Sequence, residues 1–342
     1  MIRSFGLRDF HLVRQLQIRG VAFDLRRLLL HPHTPLWSAL VGLLSHEQLG
    51  TISCLYLSRQ KAPMSGMVSV FLRRHMPYWD LAFLAPALDS RAEATCIWTK
   101  LLTHLTVLGA QRGITRIYAR ATEDAETEDI LHQAGFSVVT REEIFVLVNC
   151  PSPVVAPRGL HRLEPQDAQA LVNLYREVVP PLVQQAEGVT PHWAASRSHS
   201  IGPFWAPKEY VWSEKSRANA YIGLCETEKG YWLEVMVRPE FRAEILPLIK
   251  HVLSLTECTK VTPVYCQVPD YSVGVGWVLR ALGFESYARQ VMLVEHTIVR
   301  VPIKQRVLVP GLEGSVDIGV PVRPVFRIQE KVQEQSTDLM YN

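Results

Sequence analysis

Two short motifs in this chain of 342 residues have residue types and spacings that could hold a chemical group. His31-Pro32-His33 presents two imidazoles, but no carboxylate or cysteine lies nearby at metal-ligand spacing, so a loop is the better interpretation. Gly274-Val275-Gly276 follows the apolar run 264–268 as in a dinucleotide-binding turn, although the third glycine of that fingerprint is missing. We therefore predict neither a metal site nor a dinucleotide site.

Nucleophilic catalysis has little support in the residue pattern. A G-x-S-x-G elbow is absent, and the six cysteines at 54, 96, 150, 225, 258 and 266 form no C-x-x-C pair. Cysteines this few and this scattered do not indicate a disulfide scaffold. We expect reduced thiols and, with them, a cytoplasmic protein.

The charge pattern does not favour a nucleic acid or a membrane as partner. The 36 basic and 33 acidic residues are spread along the chain and leave a net charge of +3, without a basic stripe. Arg26-Arg27 and Arg73-Arg74 are the densest basic spots, and we interpret each as a solvated face or turn. No run approaches the ~20 apolar residues of a membrane span, and the first ten residues lack the apolar core of a secretory signal.

One pattern occurs twice along the chain. It consists of a Tyr-Trp pair, a proline eight residues after the Tyr, a helical stretch, and a Gly-Phe pair before an apolar strand. The two copies are Tyr78-Trp79, Pro86 and Gly135-Phe136, then Tyr231-Trp232, Pro239 and Gly283-Phe284. The openings match as well, and Asp9 precedes Gly135 by 126 residues where Asp167 precedes Gly283 by 116. A period this long indicates two duplicated domains.

The repeat predicts the division of the chain. We expect a first domain at 1–149, a second at 158–298, and an extended C-terminal arm at 299–342 that resembles neither copy. Three prolines in the eight residues 150–157 predict an extended linker between the domains.

Hydrophobic periodicity predicts the elements of the first copy. They are a strand at 2–7, a helix at about 8–19, a helix after Thr34-Pro35, antiparallel strands at 50–58, 66–73 and 78–85, a long helix after Pro86, a strand at 114–119, a helix at about 124–134, and two strand-like runs up to 149. The second copy repeats this order with a longer segment at 179–218. Its Trp193, Trp205 and Trp212 could line a ligand pocket, although packing is the more frequent use.

This element order resembles the GNAT acyltransferase superfamily in both halves, and the Gly-Phe pair before an apolar strand is similar to that family's C-terminal signature. The resemblance covers residues 1–149 and about 158–298. It implies an α/β (α+β) protein of two tandem GNAT-like folds, each a mixed, mostly antiparallel sheet flanked by helices. A cleft would lie where the fourth and fifth strands of each half diverge.

The resemblance also implies acetyl-CoA as co-substrate. The family's Q/R-x-x-G-x-G/A loop after the fourth strand binds a pyrophosphate through backbone N–H groups. At the matching place this chain has Arg91-Ala92-Glu93-Ala94-Thr95-Cys96 and Arg242-Ala243-Glu244-Ile245-Leu246-Pro247, so the basic residue is kept and the glycines are absent.

The two degenerate loops differ in what replaces the glycines. Ala94 and Cys96 are small, whereas Ile245 would crowd the second loop and Pro247 lacks an N–H. We therefore expect the cofactor in the first copy, at Arg91, Ala92, Glu93, Ala94, Thr95 and Cys96, with the pantetheine arm along the backbone of Phe83 and Leu84; Arg242 is the basic residue of the second loop. Ordinary helix starts with an exposed arginine are an equal alternative.

The family's catalytic groups are only partly present. A carboxylate on the fourth strand is the common base, which by resemblance is Asp80 in the first copy and Glu234 in the second. The tyrosine acid four residues before the Gly-Phe glycine is replaced by Leu131 and Leu279, and Tyr118 or Tyr271 could substitute for it. Each of these residues could instead be a solvated strand carboxylate or a packed tyrosine.

Two functions follow from the resemblance. One is an acyl-CoA-dependent N-acyltransferase that acts on a small-molecule or peptide amine. The alternative is a catalytically silent duplicated fold that binds a ligand or a protein. In either case we expect the halves to pack about a pseudo-two-fold axis through their final strands, and a further oligomer is possible.

Overall fold

A computed structural model describes residues 1–32, 34–45, 50–58, 64–73, 76–88, 92–152, 154–188, 207–214, 217–257 and 259–297. All of them fall in one compact unit, Met1–Val299. Several features of the sequence analysis lie outside the described residues: His33, Arg74, Arg91, Trp193, Trp205, Cys258 and the arm at 299–342.

The first half contains the predicted elements in the predicted order. They are β1 (Ile2–Ser4), α1 (Phe10–Leu16), β2 (Val21–Ala22), α2 (Leu25–Leu30), α3 (Pro35–Leu44), β3 (Thr51–Tyr56), β4 (Gly66–Leu72), β5 (Tyr78–Ala85), α4 (Ala92–Gln111), β6 (Arg116–Thr122), α5 (Ala125–Gln133) and β7 (Ser137–Leu147). Thr34 caps α3 as predicted, since its hydroxyl accepts from the Trp37 N–H at 3.3 Å. Two details differ from the prediction: β2 and α2 were not expected, and β7 is one strand rather than two.

The second half repeats this order, except that its described residues include no counterpart of β2 or α3. Its elements are β8 (Leu160–Arg162), α6 (Ala168–Val178), α7 (Pro181–Glu187), β9 (Lys208–Glu214), β10 (Arg217–Thr227), β11 (Gly230–Val237), α8 (Ile245–Leu253), β12 (Val264–Pro269), α9 (Val275–Ala281) and β13 (Glu285–His296). Trp212 lies in β9 and is buried in the core beside Phe241, so it packs rather than lining a pocket.

The two Gly-Phe pairs end their helices in the same way. Gly135 and Gly283 both have left-handed backbones, with φ of 102° and 91°. The next N–H, of Phe136 or Phe284, donates to the carbonyl of Leu131 or Leu279 at 3.0 Å in each case. Glycine is the residue that adopts this conformation without strain, which explains its place in both copies.

The strands of both halves form one continuous sheet in the described part of the chain, and the halves exchange their last strands. The order is β1-β3-β4-β5-β6-β13-β7-β12-β11-β10-β9-β8, with β2 attached to β5. Strand β13 of the second half pairs with β6, while β7 of the first half pairs with β12, and the two exchanged strands pair with each other. The predicted packing through the final strands is confirmed.

The exchanged strands meet at equivalent residues. Glu142 and Gln290 each lie six residues after the Phe of their Gly-Phe pair, and they are register partners. The Gln290 amide donates to the Glu142 carboxylate at 2.6 Å, in a buried contact. This self-pairing of equivalent positions is what a pseudo-two-fold axis between the halves requires.

Helices cover both faces of the sheet. Helix α4 packs on the first half through Trp98, Leu101 and Leu105, and α8 packs on the second half through Leu248 and Ile249. Helices α1 and α3 pack against Phe83 and Ala85, whose side chains lie on the other face of β5. Helix α6 packs against Tyr221 and Met236 of the second half.

The cysteine prediction needs one correction. Cys54, Cys96, Cys225 and Cys266 are free, but Cys150 is disulfide-bonded. The described helices include none that is long and apolar enough to cross a bilayer. Among the described residues, no three His, Cys, Asp or Glu side chains cluster in a way that could hold a metal ion.

Candidate active site

Each half contains a pair of parallel strands that separates after a few residues. Strands β5 and β6 pair only from Tyr78 to Asp80. Strands β11 and β12 pair only from Tyr231 to Glu234. The last paired residue of the leading strand is therefore Asp80 in one half and Glu234 in the other. We call the gaps beyond these residues the first cleft and the second cleft, and the two carboxylates mark their apices.

The first cleft is filled by the chain itself. Strand β2 pairs antiparallel with β5, Val21 with Leu84 and Ala22 with Phe83. The Phe23 N–H donates to the Ala82 carbonyl at 2.9 Å, and the Asp24 N–H donates to the Arg120 carbonyl on β6 at 2.8 Å. Residues 21–24 thus bridge the diverging strands. The backbone of Phe83 and Leu84, where we expected the pantetheine arm, is already paired to β2 on this side and to β4 on the other.

Gly20 allows this segment to approach β5 so closely. A Cβ atom at Gly20 would clash with the ring of Phe83 and would lie 2.8 Å from the Leu84 carbonyl oxygen. Asp24, at the other end of the segment, has a left-handed backbone with φ of 68°, which is uncommon for a residue with a side chain. The segment therefore fits the first cleft because Gly20 has no side chain and Asp24 adopts a left-handed backbone.

The second cleft has no equivalent segment among the described residues. Eight residues separate α1 from α2, but only Val179 and Pro180 separate α6 from α7. Pro180 and Pro181 lack the N–H groups that would pair with a strand. Within the described chain, β11 has no strand partner on the β12 side beyond Glu234, and Glu234 and Val235 are partly exposed. Among the described residues, the second cleft is therefore the more open of the two.

Asp80 is held in an ion pair at the apex of the first cleft. The Arg73 guanidinium donates to both of its carboxylate oxygens, at 2.9 and 2.7 Å, and Arg27 lies 3.9 Å away. Burial alone would raise the pKa of Asp80, but the Arg73 charge and hydrogen bonds outweigh burial and lower that pKa to about 2. A carboxylate with so little affinity for a proton is a poor general base.

Glu234 at the apex of the second cleft keeps more contact with solvent. Its side chain is 24% exposed against 7% for Asp80. Arg26, from α2 of the first half, donates to its Oε1 at 2.6 Å. The same guanidinium lies over the ring of Trp232, 5.2 Å from its centre. Of the two predicted bases, Glu234 has the accessible carboxylate.

Arg73 lies in the turn between β4 and β5, as expected, but the expectation that Arg26, Arg27 and Arg73 are solvated is wrong. Arg26 and Arg27 are respectively 17% and 24% exposed, and both belong to the ion pairs at the apices. Arg73 donates to Asp80 and also stacks on the Tyr118 ring, 4.5 Å from its centre. A buried guanidinium needs a carboxylate partner, and the sequence does not show which distant residue supplies it.

The predicted general acids have different surroundings. Tyr118 is buried, and its hydroxyl donates to the Ala186 carbonyl of α7 at 2.6 Å. Burial raises the pKa of Tyr118, so its hydroxyl keeps its proton near neutral pH. The hydrogen bond to Ala186 makes this hydroxyl a contact between the halves. Tyr271, just after β12, is only partly buried beside the second cleft. Leu131 and Leu279 are fully buried core residues.

The two loops do not support the predicted preference for the first copy. Ala94 is buried and faces the core, while Glu93 and Cys96 are exposed. The carbonyl of Thr95 accepts from the Thr99 hydroxyl within α4, which begins at Ala92. Ile245 is also fully buried, in the core under α8, so the expectation that it would crowd the second loop is wrong.

The second loop leads into a helix of nine residues. Helix α8 begins at Ile245, and Glu244 precedes it without a side-chain capping bond. Pro247 is the third helical residue, where the N–H would have no partner within the helix in any case. Arg242 is partly buried, and its Cδ lies near Gly274, the residue before α9. A helix start and one arginine thus lie at the mouth of the second cleft.

Comparison with known proteins gives matches only among solved structures. No protein-family model matches the chain, and no curated protein is significantly similar to it in sequence. A GCN5-related N-acetyltransferase from Sphaerobacter thermophilus is similar with a TM-score of 0.52 and 15% identity, over 87% of this chain and 95% of that one.

Two further structures are similar at lower scores. A tandem GNAT protein from the clavulanic acid biosynthesis pathway, solved without AcCoA, gives 0.45 at 14% identity over 87% and 98% of the chains. An acetyltransferase from the GNAT family of Colwellia psychrerythraea gives 0.40 at 12% identity over 86% and 99%. At these identities the likeness concerns the fold alone, and of these three structures the one from Sphaerobacter thermophilus has a TM-score above 0.5.

Proposed function

We propose that this chain, which has the GNAT fold in both halves, is an acyl-CoA-dependent N-acyltransferase that works at the second cleft. The observation that carries the proposal is the contrast between the two clefts. In the first, residues 21–24 occupy the strand edge and Asp80 is locked to Arg73. In the second, the edge of β11 is open beyond Glu234 among the described residues, and the carboxylate is partly exposed.

The chemistry assigned to the second cleft is direct transfer. The amine nitrogen attacks the thioester carbonyl, Glu234 takes the proton that the nitrogen loses, and the carbon–sulfur bond breaks to release the thiol of CoA. The backbone of β11 at 235–237 would pair with the pantetheine arm as an added strand does. Tyr271 is the candidate that returns a proton to the departing sulfur. Much of the rate would come from holding the amine and thioester together.

The start of α8 and Arg242 are assigned to the pyrophosphate. Free N–H groups at a helix start attract phosphate oxygens, and the arginine adds a positive charge. Glu240 and Glu244 oppose this attraction, so we expect modest affinity for CoA. The acceptor is proposed to be a small-molecule or peptide amine. The cytoplasmic location expected from the sequence stays a prediction.

The proposal is tested by isothermal titration calorimetry with acetyl-CoA and CoA. Arg242→Glu should abolish the heat of binding because it reverses the charge at the mouth of the second cleft. Arg176→Glu is the matched control, since Arg176 is exposed on α6 and is assigned no role; it should bind as the wild type does. A wild-type protein that gives no heat at millimolar acetyl-CoA would overturn the proposal.

One set of observations favours the alternative of a catalytically silent binding module. The first cleft is filled, Leu131 and Leu279 replace the acid in both halves, and neither loop has the family's glycines. A silent module would give no acyl transfer with any amine, and Glu234→Gln would then leave its partner binding unchanged. The two functions are separated by mass spectrometry of reactions containing acetyl-CoA and a panel of amines.

A further inference from the structure

We infer that Arg26, which belongs to the first half, is a positioning residue for Glu234 in the second half, so that neither half forms the reactive site alone. The inference rests on the proposed function for its chemical role. Its structural basis is the contact between α2 and β11, two elements more than 200 residues apart in sequence.

Helix α2 is anchored on the second half by apolar contacts. Leu30 is buried with Trp232, Cys225 and Ile144, and Leu25 and Leu29 pack against the same cluster. This packing fixes the helix next to the second apex. It leaves Arg26 partly buried, with Nη1 2.6 Å from Glu234 Oε1. The Trp232 ring lies against the guanidinium on another side and restricts its orientation.

The helix directs two consecutive arginines to the two apices. Successive side chains on an α-helix point about 100° apart. Arg27 accordingly turns to the first half, where it lies 3.9 Å from Asp80 and stacks on Phe71. Arg26 turns to Glu234. The first apex has Arg73 from its own half as well, whereas Glu234 receives this charge from the other half.

The second half returns an equivalent contact. Its α7 lies over the first apex, where the Ala186 carbonyl accepts from Tyr118 and the Gln185 carbonyl accepts from Arg116 at 3.2 Å. Each half therefore places its second helix, α2 or α7, against the other half across the pseudo-two-fold axis. The last strands, β7 and β13, are exchanged between the halves in the same way. The contact of Arg26 with Glu234 is part of this exchange.

Arg26 places a positive charge against the Glu234 carboxylate, and two cysteines of the described chain also lie close to it. Cys225 on β10 and Cys266 on β12 lie near the carboxylate, and Glu226 lies beside Cys225. Burial raises the pKa of both thiols, so both are neutral near pH 7. Removing the guanidinium takes away the positive charge that lies 2.6 Å from Glu234 Oε1, which favours the protonated form of the carboxyl.

The test follows the Glu234 carboxyl directly. Protein labelled with ¹³C at the glutamate carboxyl carbons is titrated by NMR, and Glu234→Gln identifies the signal. Arg26→Gln should move the midpoint of that titration up by about one pH unit, and Arg26→Lys should restore most of it. Leu28→Gln, at an exposed position of the same helix, is the control and should leave the midpoint unchanged.

The kinetic readout is the pH profile of acyl transfer. Arg26→Gln should lower kcat about ten- to hundredfold, leave the KM for acetyl-CoA unchanged, and move the acidic limb with the NMR midpoint. If the wild type transfers acyl groups but the midpoint is the same in Arg26→Gln, the inference is overturned and the proposed function stands. If the midpoint moves but no amine is acylated, the positioning contact stands and the proposed function fails.

Discussion

At the scale of residues, the two apex carboxylates have the same place in the fold and opposite uses. Asp80 is buried between Arg73 and Arg27, so its charge stabilises the fold. Glu234 is paired with Arg26 and remains partly exposed, so under the proposed function its charge is available to a substrate. Sequence placed both carboxylates on the correct strands, but it could not distinguish them because the distinguishing arginines lie elsewhere in the chain.

The first prediction uses this pair. Asp80→Asn should lower the free energy of unfolding by about 3–5 kcal/mol, because it leaves buried guanidinium groups without a countercharge. Glu234→Gln should lower kcat by about a hundredfold or more while acetyl-CoA binding and folding stability change little. Denaturant unfolding and steady-state kinetics measure the two effects. Equal losses of activity at equal stability in both variants would contradict the assignment.

The second prediction concerns Glu295 on β13. Its Oε2 accepts from the Thr106 hydroxyl at 2.8 Å, and burial raises the pKa of its carboxyl from the ordinary 4.5 to about 7. The folded protein therefore holds a proton that the unfolded chain releases above pH 4.5. The free energy of unfolding should fall from about pH 4.5 to pH 7 and level off above it.

Glu295→Gln should remove this dependence. We expect the variant to be more stable than the wild type at pH 8 by about 1–2 kcal/mol, with little or no advantage at pH 4.5. Thermal unfolding across this pH range measures the difference, and Glu93→Gln, at an exposed position of α4, is the control. A constant offset between variant and wild type at all pH values would contradict the prediction.

At the scale of elements, β2 is the feature that changes the functional interpretation. It has two residues and α2 has six, so neither shows a period that sequence analysis can detect. The long helices and the strands from β3 to β6 were predictable because their apolar residues recur at regular spacing. The filling of the first cleft could not be predicted, since it depends on contacts between 21–24 and strands 60 to 100 residues away.

The third prediction concerns Gly20. Gly20→Ala should push residues 21–24 away from β5, because the added Cβ meets the Phe83 ring and the Leu84 carbonyl. We expect a loss of about 1–3 kcal/mol in stability, with faster amide exchange at Val21 and Phe83. Acetyl-CoA affinity should be unchanged because the second cleft is untouched.

The matched control is Gly6→Ala. Gly6 has φ of −133° and room for a Cβ atom, with its nearest contact at 3.7 Å. It should exchange and unfold like the wild type. A Gly20→Ala variant with normal stability but altered acetyl-CoA affinity would contradict the account of both clefts.

At the scale of the whole molecule, the exchange of strands and helices joins the halves into one structure. The repeat in the sequence predicted two copies of one fold and their contact through the final strands. It did not predict that β13 would complete the first half and β7 the second. The register of an antiparallel pair between equivalent residues such as Glu142 and Gln290 depends on the pairing of both halves, so no single segment encodes it.

The most direct test of the central claim is hydrogen–deuterium exchange with and without saturating CoA. We predict slower exchange on CoA binding in β11 at 235–237 and at the start of α8, and no change in β2 or at Phe83 and Leu84 of β5. This result would place the substrate in the second cleft. Protection at β5, or no protection anywhere in the chain, would contradict the claim that the second cleft is the acyl-CoA site.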